Sequence, residues 1–177
     1  VDYLVEAAIG LPADAKVLIF CEYLDTVESL IEAFGEAGMG AVSLTGSMSA
    51  LRRQAAVDQL QHDPATRVFV GTTAAAGVGF TLTAANYVFF AIVPWTAGLK
   101  RQAEDRAYRN GQAKPVFVRV PLIADTIDEQ LYALVNHKAD IAAEVIGDEA
   151  HLNQSRLAAA LTSGSAGATR SLASLDA

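Results

Sequence analysis

The chain predicts an α/β fold, an open doubly wound sheet of mostly parallel strands, on three observations. Five short β-rich runs alternate with helical patterns along the sequence. Those runs are almost continuously apolar, as strands covered on both faces are, rather than alternating in and out. Each intervening segment that reads as a helix is long enough to carry the chain back to the start of a parallel neighbour.

The first run, "KVLIFC" (Lys16 to Cys21), is a compact apolar strand. Asp25 then offers an N-cap, and Val27, Leu30, Ile31 and Phe34 recur at helical spacing up to Gly38. "GAVSLTG" is the second strand. "SALRRQAAVDQLQHDP" follows as an amphipathic helix stopped by Pro64, with Leu51, Ala55 and Leu60 expected to face inward. "RVFVGTT", "NYVFFAIV" and "PVFVRVPL" are the third, fourth and fifth strands, with Phe89 and Phe90 expected in the core. "TAGLKRQAEDRAYRNG" between the last two predicts one helix ending near Gly111. The closing helix opens on Thr126 with Glu129 three residues later, the spelling of a capping box. Residues 1–147 are therefore expected to form one folded domain. The Ala-, Ser- and Gly-rich stretch 148–177 has no large apolar face and is expected to be a tail, largely disordered.

Composition narrows the function. Apolar residues make up 52% of the 177, enough for a sizeable core, and the formal net charge is −7. That balance excludes a protein that coats nucleic acid with basic charge, although a local phosphate-binding face needs only well-placed cations. A single cysteine, Cys21, permits no internal disulfide and fits an intracellular setting. No run approaches the ~20 apolar residues of a membrane helix. The chain starts at Val1 rather than Met, as a fragment of a longer protein would. His62, His137 and His151 are scattered, so no metal site is expected, and no G-x-S-x-G elbow marks a hydrolase triad.

Ligands of such sheets sit beyond the carboxyl ends of the strands. The loop after the third strand reads "GTTAAAGVGFTLTAAN", with Thr72, Thr73, Gly77 and Gly79. Small residues let a backbone approach phosphate or sugar, but they serve equally as a packing turn. Neither a dinucleotide fingerprint nor a P-loop is present. In "QAEDRAYRNGQ" (Gln102 to Gln112) the offsets of four and seven predict Gln102, Arg106 and Arg109 on one helical face, away from Glu104 and Asp105. Two guanidinium forks beside an amide suit a nucleotide γ-phosphate; surface arginines tied into salt bridges fit the spacing equally well.

That segment closely resembles motif VI of the Swi/Snf-type helicase-like ATPases, written QAEDRAHRIGQ. The other motifs follow in order. "KVLIFCEY" is similar to motif IV, "LTGSMSALRRQAAVDQLQ" to the G-x-[ST]-x-x-x-R segment, "GTTAAAGVGFTLTAANYVFF" to motif V, and "VPW" to the tryptophan-bearing segment. "AKPVFVRVPLIADTIDEQL" is similar to the closing strand and helix. The resemblance covers roughly residues 14 to 146. The spellings "QAEDR" and "TAA" lean toward the annealing-helicase, fork-remodelling branch. Two departures stand out: Tyr108 and Asn110 replace the motif's His and Ile, and Trp95-Thr96-Ala97 replaces Trp-Asn-Pro.

The resemblance implies the second RecA-like lobe of a two-lobed double-stranded-DNA translocase. ATP would lie between the lobes, with its magnesium held by the N-terminal lobe. Arg106 and Arg109 would be catalytic, Arg109 first as the arginine finger, with Gln102, Gly77 and Gly79 at the nucleotide. Thr45, Gly46, Ser47, Thr72, Thr73 and Trp95 would face DNA. This lobe alone would be inactive as an ATPase. The implied partners are double-stranded DNA and the N-terminal lobe, without a membrane, in the nucleus of a eukaryote or the nucleoid of a bacterium. The alternative reading is a stand-alone α/β nucleotide-binding or protein-interaction domain without motor activity. The string Asp148-Glu149-Ala150-His151 spells a magnesium box, but it follows a helix and comes after motif VI, with no phosphate loop before it. It is expected only to mark the start of the tail.

Overall fold

In a computed structural model, which describes residues 1–76 and 79–146, the five expected strands form one all-parallel sheet. They are β1 (Val17–Cys21), β2 (Gly40–Leu44), β3 (Thr66–Thr72), β4 (Tyr87–Phe90) and β5 (Phe117–Arg119), in the order β2-β3-β1-β4-β5. The central strand β1 is buried at every position, and Val17 is opposite Val68 on one side and Tyr87 on the other.

The period-2 geometry of β1 divides the core in two. Val17, Ile19 and Cys21 join Val68, Val70 and Phe89 under α1 (Asp2–Ile9) and α2 (Leu24–Glu36), which contribute Leu4, Ala8, Val27, Leu30 and Phe34. Leu18 and Phe20 join Leu44, Phe69, Val88 and Phe90 on the other face, beneath α3 (Ala50–His62) and α5 (Ala97–Glu104). The inner strands β3, β1 and β4 are thus covered on both sides, as their unbroken apolar runs require, whereas the edge strand β5 is exposed at Phe117 and Arg119. Full burial of a side chain such as Leu30 contributes about 1.5–3 kcal/mol.

Several helix details differ from the sequence reading. Helix α1 carries no motif and was not expected. Helix α2 starts one residue before Asp25, which lies in its first turn while Tyr23 occupies the cap position. In α3 the inward residues are Ala56, Val57 and Leu60; Leu51 is 82% exposed and Ala55 is exposed. The reason is the contact stripe. Leu60 sets the azimuth, and Leu51 lies nine residues away, about two and a half turns of a 3.6-residue repeat, so it points to the opposite side of the helix. Ser49 caps α3 by accepting from the Arg52 amide, and the Lys16 ammonium binds the Leu60 and Asp63 carbonyls at its other end. Thr126 caps α6 (Ile127–Ile146) by accepting from the Asp128 amide, as expected.

The described residues divide into a compact unit, Val1–Tyr132, and a second beginning at Ala133, of which the remainder of α6 is described. The stretch expected to be a tail, with its Asp-Glu-Ala-His string, lies outside the described residues, as does Gly77. No helix among the described residues is long and apolar enough to cross a membrane.

Candidate functional site

Because all five strands are parallel, the loops after β2, β3 and β4 leave the sheet at one edge, the edge where doubly wound folds bind ligands. The short helix α4 (Thr73–Ala76) follows β3, and the irregular segment 79–86 then runs into β4. Against this segment lies the stretch that carries Arg106 and Arg109.

That stretch is not the continuous helix its spacing predicts. Helix α5 begins at Thr96, whose hydroxyl accepts from the Leu99 amide, and ends at Glu104. Beyond it the chain turns irregularly to Gly111, whose φ of +104° favours glycine. Tighter bonds replace the α-helical pattern there: the Arg106 amide donates to the Ala103 carbonyl at 3.2 Å and the Ala107 amide to the Glu104 carbonyl at 3.0 Å. The Arg106 carbonyl accepts from the Leu82 amide at 2.9 Å, and the Ala107 carbonyl accepts from the Gln112 side chain at 3.1 Å. These bonds tie the stretch to the segment before β4 and to Gln112. Gln102, Arg106 and Arg109 therefore do not share a helix face. Gln102 remains on α5, exposed, and hydrogen-bonds neither arginine.

The two arginines nevertheless converge on one feature, the segment around Gly79. Arg109 is exposed, and its Nη1 donates to the Gly79 carbonyl and to the Thr81 hydroxyl, each at 3.0 Å. Gly79, at φ +34°, is in a conformation other residues seldom adopt. Arg106 is 9% exposed; its Nη1 donates to the Phe80 carbonyl at 3.4 Å, and its buried Nε has no partner. Burial, and next the charge of Arg109, push its pKa down, with Asp105 opposing. Neither arginine has a carboxylate ion-pair partner among the described residues. The salt-bridged surface reading of these arginines is thus not what the structure presents. Two cations held close with unspent donors favour an anion.

Thr72 and Thr73 are buried with their hydroxyls turned inward. Thr73 donates to the Cys21 carbonyl at 3.1 Å, and Thr72 accepts from the Ala75 amide at 3.3 Å. As they stand these groups shape the strand end and the start of α4 rather than meet a phosphate. The loop after β2 is open instead. The Thr45 and Ser47 hydroxyls share a hydrogen bond of 3.1 Å, and the Arg53 guanidinium fixes the exposed Gly46 through its carbonyl at 2.6 Å. A groove of about 430 Å³ runs beside Thr45 and Ser47, bounded across from them by Glu28 and Glu32 of α2. Trp95 is 58% exposed in the turn after β4. No cluster of three His, Cys, Asp or Glu able to hold a metal ion occurs among the described residues.

Three residues of the site lie within the quoted motifs but were given no role by them: Thr81, Gln61 and Gln112. Gln112 Nε2 reaches the carbonyls of Thr83 at 3.1 Å and Ala85 at 2.8 Å. Gln61, from α3, binds the same segment by both ends of its amide. Nothing in local spelling tells what these glutamines bind, because their partners are backbone groups brought near by the fold.

Comparison with known proteins gives the family and the fold. The model of the helicase conserved C-terminal domain matches residues 2–111. The mouse DNA annealing helicase and endonuclease ZRANB3 is 36% identical over 131 residues, covering 74% of this chain and 12% of that protein. A Caenorhabditis elegans homolog of the SWI/SNF-related matrix-associated actin-dependent regulator of chromatin subfamily A-like protein 1 is 37% identical over 130 residues, covering 73% and 19%. The chain thus spans a small part of the curated relatives it matches. Among solved structures, the C-terminal part of the Fun30 ATPase domain superposes with a TM-score of 0.72 at 29% identity, over 76% of this chain and 44% of that one. With its parallel sheet, its ordered motifs and its paired arginines, the chain belongs to the helicase conserved C-terminal domain family, in the Swi/Snf-type branch that includes the annealing helicases.

Proposed function

We propose that this chain is the second RecA-like lobe of an ATP-driven double-stranded-DNA translocase, and that it contributes Arg106 and Arg109 to a nucleotide site completed by a separate N-terminal lobe. The observation that carries the reading is the pair of guanidiniums held at the sheet's carboxyl edge, without a carboxylate and with the Arg106 Nε unpartnered. An orphaned buried donor beside a second cation fits the terminal phosphates of a nucleotide. ATP, when bound with magnesium at the other lobe, supplies the phosphoryl group whose transfer to water drives such motors.

The chain's own residues divide the work. Arg109, exposed and tethered at Gly79 and Thr81, stabilises negative charge that develops at the phosphoryl group, a contribution of ~10³–10⁵ in turnover for an arginine finger. Arg106, buried, provides fixed positive potential behind it. Gln102, Gly77 and Gly79 border the nucleotide. Thr45, Gly46, Ser47 and Trp95 contact the DNA backbone or its edge, while Thr72 and Thr73 hold the segment that links the two sites. DNA and the N-terminal lobe are the partners, and the compartment is the one that holds the DNA.

The test is DNA-stimulated ATP hydrolysis by the longer protein that carries both lobes. Arg109→Ala is expected to abolish turnover while DNA affinity stays within about twofold, since the substitution removes transition-state stabilisation and no DNA contact. Wild-type turnover in that variant would remove Arg109 from the catalytic role and with it this assignment.

A further inference from the structure

We propose that Gln61 is a positioning residue for the Arg109 guanidinium, acting through Thr81; the inference rests on the reading of Arg109 given above. The segment 79–85 has no regular secondary structure, so side chains must fix its shape. Its hydrogen-bond partners from the arginine stretch are Arg106, Arg109 and Gln112, which move with the groups they position. Among the described residues, Gln61 is the side chain from elsewhere in the fold that hydrogen-bonds this segment.

Its geometry suits a locating role. Gln61 Nε2 donates to the Thr81 carbonyl at 3.0 Å, and its Oε1 accepts from the Ala84 amide at 2.8 Å. A planar amide that grips two backbone groups three residues apart fixes both the distance of the segment from α3 and its rotation. One point contact would leave the rotation free. Thr81 meanwhile turns its hydroxyl to Arg109 Nη1 at 3.0 Å. The same residue is therefore held from its backbone by Gln61 and holds Arg109 by its side chain.

The base from which Gln61 reaches is rigid. Its neighbour Leu60 is fully buried in the core, and the Lys16 ammonium binds the Leu60 and Asp63 carbonyls, closing the last turn of α3. A connected chain of contacts thus runs from the sheet through α3 and Gln61 to Thr81 and the exposed guanidinium. An arginine on a flexible stem gains most from such a reference point, because turnover is sensitive to misplacements of about 1 Å.

The experiment uses the protein carrying both lobes, with Gln61→Met, Thr81→Val, the double variant and Arg109→Ala. Methionine keeps the length and helix preference of glutamine but loses both hydrogen bonds. Gln61→Met is expected to lower the DNA-stimulated kcat about 10- to 100-fold, with the KM for ATP unchanged and the melting temperature lowered by no more than a few degrees. Gln61→Glu, which keeps the acceptor for Ala84 but sets a carboxylate oxygen against the Thr81 carbonyl, is expected to lose at least as much as Gln61→Met. Adding Gln61→Met to Thr81→Val should cost little more, because both cut one link. Without nucleotide or turnover, hydrogen exchange across residues 79–86 should quicken in Gln61→Met. An unchanged kcat, unchanged exchange, multiplicative losses in the double variant, or a raised KM with a lowered melting temperature would each overturn the proposal. An active Arg109→Ala would remove the reading beneath it, whereas an inactive Arg109→Ala beside a fully active Gln61→Met would remove Gln61 alone.

Discussion

Replacing Arg106 by methionine separates what the fold requires from what the site requires. The Arg106 guanidinium is nearly buried, makes one long hydrogen bond of 3.4 Å to the Phe80 carbonyl, and leaves its Nε unpartnered. The nearby charge of Arg109 adds repulsion. Arg106→Met removes a hydrogen bond worth at most about 1 kcal/mol. It also removes the cost of a poorly satisfied buried cation, on the order of 1–3 kcal/mol. The methionine chain would lie against Phe20, Leu44, Phe69, Phe80 and Leu82, which line the small cavity beside Arg106. The balance is a gain of about 0.5–2 kcal/mol, equivalent to a rise in Tm of roughly 2–6 °C for a domain of this size. Thermal and urea denaturation of the purified chain, in buffer free of phosphate, measures it. Adding tripolyphosphate should then raise the Tm of the wild type by binding the folded state, and raise that of Arg106→Met less. A variant less stable than wild type by more than about 1 kcal/mol would show that the cation serves the fold. Equal stabilisation of both proteins by the anion would show that it does not bind there.

Two further outcomes follow from ionisation. Burial pushes the Cys21 thiol up to about 12, so it stays protonated at pH 8 and should not react with Ellman's reagent until the chain is unfolded; immediate native-state labelling would contradict that burial. The Asp63 carboxyl is held below its ordinary 3.8, first by the Thr66 hydroxyl, and Asp14 is held down by Lys114. Folded values below unfolded ones mean a contribution present above about pH 4 and lost as the pH falls through the folded values. Melting temperature should therefore decline below about pH 4, and Asp63→Asn with Asp14→Asn should flatten that decline; an unaltered slope would refute the assignment.

How much was legible can be judged at particular residues. The five strands were legible because a parallel sheet covered on both faces needs unbroken apolar runs, and "KVLIFC" and "RVFVGT" are such runs. The identity of the family was legible because its motifs are local strings in a fixed order. Helix α3 was legible in extent, from the Ser49 cap to Pro64, but not in orientation. Its sequence offers apolar residues on several sides, and only contact with β2 and β3 selects Ala56, Val57 and Leu60. The DNA-facing role expected of Thr72 and Thr73 illustrates the same limit. A threonine hydroxyl in a loop string reads as available until the fold supplies the Cys21 carbonyl, fifty-two residues away in sequence from Thr73.

The sequence by itself determined the sheet, its class, and the presence of two arginines where a nucleotide-binding motif has them. Periodicity and spelling are properties of neighbours along the chain, so they survive without coordinates. Only the tertiary structure decided how those arginines are held. The spacing predicts one regular helix; the fold ends it at Glu104 in tighter turns, beyond which the Arg106 carbonyl accepts from the Leu82 amide and the Ala107 carbonyl from the Gln112 side chain. Arg109 consequently rests on Gly79 and Thr81, and Thr81 on Gln61, through bonds between residues twenty or more positions apart. Hydrogen bonds to backbone groups depend on position and not on the partner's side chain, so such an arrangement leaves almost no trace in the letters of the sequence.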